Sequence, residues 1–158
     1  MSGKRQETAK PEEDHGQNNA RAWLDNIREM VAALEALESG ETEEATIDGD
    51  TYADPDEVRE RIQESALSVQ VRSGWYTPGE TPTAEEFCIL LTTGGPALRI
   101  IGELDDYGQP DNARLEYQDW GTPWTPFSLF GDDGKSIEEA SATESDVLTF
   151  AQCFYFGE

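Results

Sequence analysis

Residues 87–104, FCILLTTGGPALRIIGEL, decide the fold. Two short apolar runs, Phe87 to Thr92 and Leu98 to Leu104, flank Gly94-Gly95. Runs of this length, bounded by glycine, read as strands, and the glycine pair as the tight turn that joins them. Toward the N-terminus, Leu67, Val69 and Val71 alternate with Ser68, Gln70 and Arg72, which predicts a half-buried strand. The segment Thr77-Pro78-Gly79-Glu80-Thr81-Pro82 links it to the first run. Toward the C-terminus, a turn over Asp105 to Asn112 leads to Ala113–Trp120, where Leu115 and Tyr117 alternate with Arg114, Glu116 and Gln118. Four strands on short links predict an antiparallel meander.

Helical periods lie on either side. From Ala20 to about Leu37, Trp23, Leu24, Ile27, Met30, Val31, Leu34 and Leu37 recur at spacings of three and four, one stripe of an amphipathic helix. Asn18 or Asn19 is its expected cap, and Ser39-Gly40 its end. Asp54-Pro55 opens a short second helix running to about Ser65, with Asp56 and Glu57 in the first turn. A last helix is expected from about Asp146 to Phe154, capped by Ser145 or Thr143. GTPWTPF, residues 121–127, reads as extended, and residues 131–142 as polar and acidic. The expectation is an α+β domain: a four-stranded antiparallel β-meander packed with an N-terminal amphipathic helix, a short second helix and a C-terminal helix. Residues 1–17 read as a disordered tail and residues 18–158 as a single domain, with an acidic loop at about 39–54.

Charge narrows the function. Thirty-four acidic residues against eleven basic ones give −23, and after Lys10 the only lysine is Lys135. Such a surface repels nucleic-acid phosphates and anionic membranes and steers basic protein surfaces toward itself. No apolar run approaches the roughly 18 residues of a membrane span. The N-terminus has no apolar stretch behind its basic residues, so no secretory signal is read and a cytoplasmic protein is expected. The expected partner is a protein with a basic, nucleic-acid-binding surface, with no direct contact to nucleic acid or membrane.

The usual catalytic sets are missing. The one histidine, His15, falls in the predicted tail, which removes His-based triads, dyads and metal sites in their ordinary forms. Cys88 and Cys153 sit among apolar neighbours and read as small buried hydrophobes. Glu85, Glu86, Glu103 and Glu116 lie on or near strands, where a carboxylate pair could work as acid and base, but carboxylates this plentiful become neighbours by chance. A calcium loop beginning at Asp48 fails, because its fifth, sixth and twelfth positions are Tyr52, Ala53 and Arg59. Gly94-Gly95 precedes a strand and cannot cradle a phosphate at a helix N-terminus. No cofactor and no metal is expected, and no enzyme.

Two groups of residues remain as a binding surface. The acidic group is Glu41, Glu43, Glu44, Asp48, Asp50 and Asp54, continued by Asp105, Asp106, Asp111, Glu116 and Asp119. Duplex DNA carries one negative charge per ~1.7 Å of axis, and carboxylates held on rigid elements with few cations between them present a similar field. The aromatic group is Trp75, Tyr76, Trp120 and Trp124, all in or beside turns, where they serve either as plugs over the sheet or as contact residues. Trp75 and Trp120 both end strands, and they form one patch if those strands terminate at the same edge.

The stretches SVQVRSGWYTPGE (68–80), EFCILLTTGGPALRIIGELDDYGQPDNARLEYQDWGTPW (86–124) and CFYFGE (153–158) resemble a family of small proteins carried by bacterial plasmids, phages and integrated elements. The resemblance covers roughly residues 20–38 and 66–158. It implies a habitat in which anti-restriction and anti-CRISPR inhibitors are common, and it supplies no catalytic residues. Three other readings stand beside an inhibitor that mimics DNA. One is an adaptor of the mobile element that binds through the aromatic loops. Another is a housekeeping domain of a salt-loving organism. The last is an enzyme acting through carboxylates.

Overall fold

The computed structural model describes residues 15–127 and 137–157. The expected tail up to residue 14 and the first part of the segment read as polar and acidic, residues 131–136, lie outside them. Helix α1, His15–Ser39, buries the predicted stripe, including Leu24, Ile27, Met30, Val31, Leu34 and Leu37. It takes in residues 15–17, expected in the tail, and runs through Asn18 and Asn19, expected to cap it. The reason is tertiary. The His15 amide donates to Asp119 Oδ2 at 3.1 Å, so a carboxylate from a distant strand satisfies an N-terminal amide that a local cap was expected to meet. At the other end the Gly40 amide donates to the Leu37 carbonyl (3.3 Å) and the Glu41 amide to that of Ala36 (3.0 Å). With Gly40 at φ 78° this is a Schellman stop.

The acidic segment is a hairpin, which corrects the loop expected at 39–54. Strand β1 (Ala45–Ile47) pairs antiparallel with β2 (Asp50–Tyr52). The two linking residues, Asp48 and Gly49, have φ of 50° and 89°, and positive φ at both positions is the type I′ geometry that matches strand twist. Helix α2, Pro55–Glu64, begins as expected: Asp54 Oδ1 accepts from the Asp56 amide at 2.9 Å and Pro55 takes the first position. Asp54→Ala is expected to cost about 1 kcal/mol, read as a fall of roughly 2–4 °C in the thermal midpoint.

The main sheet has five strands where four were expected. They are β3 (Ser68–Ser73), β4 (Ala84–Thr92), β5 (Pro96–Glu103), β6 (Arg114–Asp119) and β7 (Thr125–Pro126), each antiparallel to its neighbour in chain order. The fifth strand is two residues of the segment read as merely extended. Helix α3, Ile137–Ala151, starts earlier than the expected Asp146 and takes in part of the segment read as polar. No described helix is long and apolar enough to cross a membrane.

One face of the sheet carries the core. Phe87, Ile89 and Leu91 of β4, Leu98 and Ile100 of β5 and Leu115 of β6 are buried with the stripe of α1 and with Val147, Phe150 and Phe154. Phe87 packs on Phe156 (ring centroids 4.9 Å apart) and Phe150 on Phe154 (5.4 Å). Strand β3 departs from its half-buried expectation, with Val69 and Val71 at 37% and 44% exposure and Leu67, just before it, at 59%. Val69 and Val71 pair with Ile89 and Phe87 and so share the core-side face. Helix α1 packs over β5 and β6 and α3 over β6, so the core layer does not reach the edge.

Candidate functional site

The chain between Glu35 and Glu64 forms an acidic lobe from the C-terminal end of α1, the β1–β2 hairpin and α2, which pack on one another. Leu37, Ile47, Val58 and Ile62 are the buried anchors. Twelve carboxylates lie in this span and all twelve are exposed, among them Glu41, Glu43, Glu44, Asp48, Asp50 and Asp54. Two arginines oppose them. Arg59 is already committed, bonding Glu38 and, at 2.6 Å, Asp56. The hairpin is tied back to α1 by the Asp48 amide, which donates to Glu29 Oε2 at 3.3 Å.

The other predicted acids lie on other elements of the chain, in the β5–β6 loop and on β6. Asp105, Asp106 and Asp111 are exposed in the β5–β6 loop, where Asp105 Oδ1 shapes the turn by accepting from the amides of Tyr107 (2.8 Å) and Gln109 (3.0 Å). Asp119 sits at the other end of β6, holding the start of α1. Glu116 is no surface carboxylate: its side chain is 8% exposed. Its Oε1 accepts from Arg99 Nε (2.9 Å) and Nη2 (2.7 Å), and its Oε2 from Arg114 Nε (3.2 Å).

These contacts belong to the open face of the sheet, away from the helices. Register places Arg72, Glu86 and Glu103 in one cross-strand row, Gln70, Cys88, Ile101 and Arg114 in the next, and Ser68, Leu90, Arg99 and Glu116 in a third. Arg72 bonds Glu86, and Asn112 Nδ2 donates to Glu103 Oε1 at 3.0 Å. A shallow cavity of about 700 Å³ lies over these rows. Three of the seven arginines among the described residues are here, opposed by three glutamates, so this face is balanced within a strongly acidic molecule. Sequence reasoning missed Arg99 as its centre. The available signal was a lone arginine inside the apolar run Leu98–Ile101.

The tryptophans divide between two ends of the sheet. Because β3 and β6 run antiparallel with two strands between them, Trp75 and Trp120 leave the sheet at opposite ends, and the single aromatic patch does not form. Trp75 is fully exposed and Tyr76 follows it, also exposed. Trp120 folds back on the β4–β5 turn, its amide donating to the Gly95 carbonyl at 3.0 Å. A Cβ at position 95 would lie 2.1 Å from the Trp120 ring, so the glycine makes that approach possible. Trp124 covers Arg99, the guanidinium carbon 4.1 Å from the ring centroid.

Cys88 and Cys153 carry free thiols. Burial pushes the Cys88 thiol up, partly offset by the Arg99 charge and reinforced by Glu116. Burial likewise raises that of Cys153, against the pull of Arg59. Both shifts disfavour the thiolate. Among the described residues no group of three His, Cys, Asp or Glu is placed to hold a metal ion. Compared with known proteins, the chain matches no family model, no curated protein and no solved structure.

Proposed function

We propose that the chain is a non-enzymatic binding protein whose acidic lobe occupies a basic, nucleic-acid-binding surface on a partner protein. The observation that carries this reading is the lobe itself: twelve exposed carboxylates on three mutually packed elements, against two arginines. Fixed on ordered backbone, they present a directed field, and one that is not dispersed along a floppy chain. The resemblance to proteins of plasmids and phages makes an anti-restriction or anti-CRISPR inhibitor, acting in a bacterial cytoplasm, the natural class.

The test is capture of partners from bacterial lysate by the tagged chain, washed at low and at high salt. A DNA-handling protein held only at low salt is the expected result, because screening shortens from roughly 30 Å at 0.01 M to 3 Å at 1 M. Neutralising Glu43, Glu44, Asp48 and Asp50 to the amides should abolish that capture. Undiminished capture by this variant sinks the reading. Reversible unfolding of the chain in low salt would favour the salt-adapted reading of the same charge.

A further inference from the structure

We propose that the outer edge of β3 is a self-association surface, on which a second copy of this chain adds its own β3 antiparallel. Among the described residues no strand pairs with this edge, because β3 ends the five-stranded order. Eight large hydrophobic side chains are exposed among the described residues, and five lie in one ten-residue stretch: Leu67, Val69, Val71, Trp75 and Tyr76. An uncovered strand edge flanked by apolar side chains is a template for another strand.

Charge selects the occupant. From Ser65 to Gly79 there is no carboxylate and one cation, Arg72. A basic partner finds its complement on the acidic lobe and nothing to attract it here. Two copies of a chain at −23 repel almost everywhere, and this edge is where they meet without opposing carboxylates. The strand is also self-complementary. A two-fold axis perpendicular to the sheet keeps faces aligned, so Val69 and Val71 of one copy meet Leu67, Val69 or Val71 of the other, and Gln70 remains on the opposite face with Ser68 and Arg72. Trp75 and Tyr76 extend the contact. Aromatic side chains bury roughly 150–250 Å² each, which brings the surface within reach of the ~800 Å² per partner of a stable interface.

The inference is independent of the acidic lobe, and salt separates the two, because repulsion between like copies weakens on screening. Sedimentation velocity of the full chain should show a monomer–dimer equilibrium that tightens as salt rises, the reverse of partner capture by the lobe. Val71→Lys should shift it to monomer with an unchanged circular dichroism spectrum, and Val69→Gln serves as the second variant if Val71→Lys fails to fold. Trp75→Ala should weaken association about tenfold, and neutralising Glu43 and Glu44 should leave it intact. A monomer at every concentration and salt, or a dimer indifferent to both valine changes, overturns the proposal.

Discussion

Gly102→Ala is expected to destabilise the fold by about 3 kcal/mol, lowering the thermal midpoint by roughly 6–12 °C. Gly102 pairs with Phe87 across β4 and β5. A Cβ there would lie 2.1 Å from the Asn112 carbonyl oxygen and 2.8 Å from Phe87 Cε1. Neither neighbour gives way cheaply. Asn112 is locked to β5 twice, its Oδ1 accepting from the Glu103 amide and its Nδ2 donating to the Glu103 carboxylate, both at 3.0 Å. Phe87 is wedged against Phe156. One methyl group must therefore displace either the β5–β6 loop or the ring that anchors the C-terminal segment. Urea unfolding measures the loss, and a change under about 1 kcal/mol would show that the approach is far looser than these contacts imply.

Glu116→Ala comes next, with an expected loss of about 3 kcal/mol. Removing one partner of a buried ion pair strands the other, which typically costs about 3–5 kcal/mol, and the lower end applies because Arg99 keeps 27% of its side chain exposed. Arg114→Ala should cost under about 1 kcal/mol, since that side chain is 60% exposed and reaches Glu116 through Nε alone. A double-mutant cycle between Arg99 and Glu116 apportions the pair, and equal small losses for Glu116→Ala and Arg114→Ala would contradict a buried Arg99–Glu116 centre.

What the sequence made legible follows from how locally each signal is encoded. The β4–β5 hairpin was readable because Phe87–Thr92 and Leu98–Leu104 are predominantly apolar, broken only by Thr92, Arg99 and Glu103, and Gly94-Gly95 sits between them. Helix α1 and the cap at Asp54 were readable for the same reason: spacing and side-chain chemistry act within a few residues. The β1–β2 hairpin was missed although its Asp48-Gly49 pair is a strong turn signal, because the surrounding acidic content argued for a loop. The two-residue β7 has no period to detect and carries a proline. Alternation at Leu67, Val69 and Val71 gave the strand correctly and its burial wrongly, since period two states which residues share a face and not whether a second layer covers it.

The candidate surfaces follow the same division. The acids from Glu41 to Asp54 are close in sequence and stay together in space. Those from Asp105 to Asp119 are as close in sequence and come apart, because β6 carries Asp111 and Asp119 to opposite ends and turns Glu116 toward Arg99. Strand direction also decided against a joint patch of Trp75 and Trp120. Both outcomes depend on antiparallel pairing over distances that a residue pattern does not encode.

The acidic lobe hangs on four aliphatic anchors, Leu37, Ile47, Val58 and Ile62, while each of its carboxylates is exposed. Exposed substitutions away from caps and networks usually change stability by less than about 0.5 kcal/mol. Within this span, then, most acidic positions apart from the Asp54 cap are open to mutational drift at almost no cost to folding, and the anchors are not. Descendants of this chain can redraw the charge pattern of the lobe residue by residue while inheriting the same scaffold.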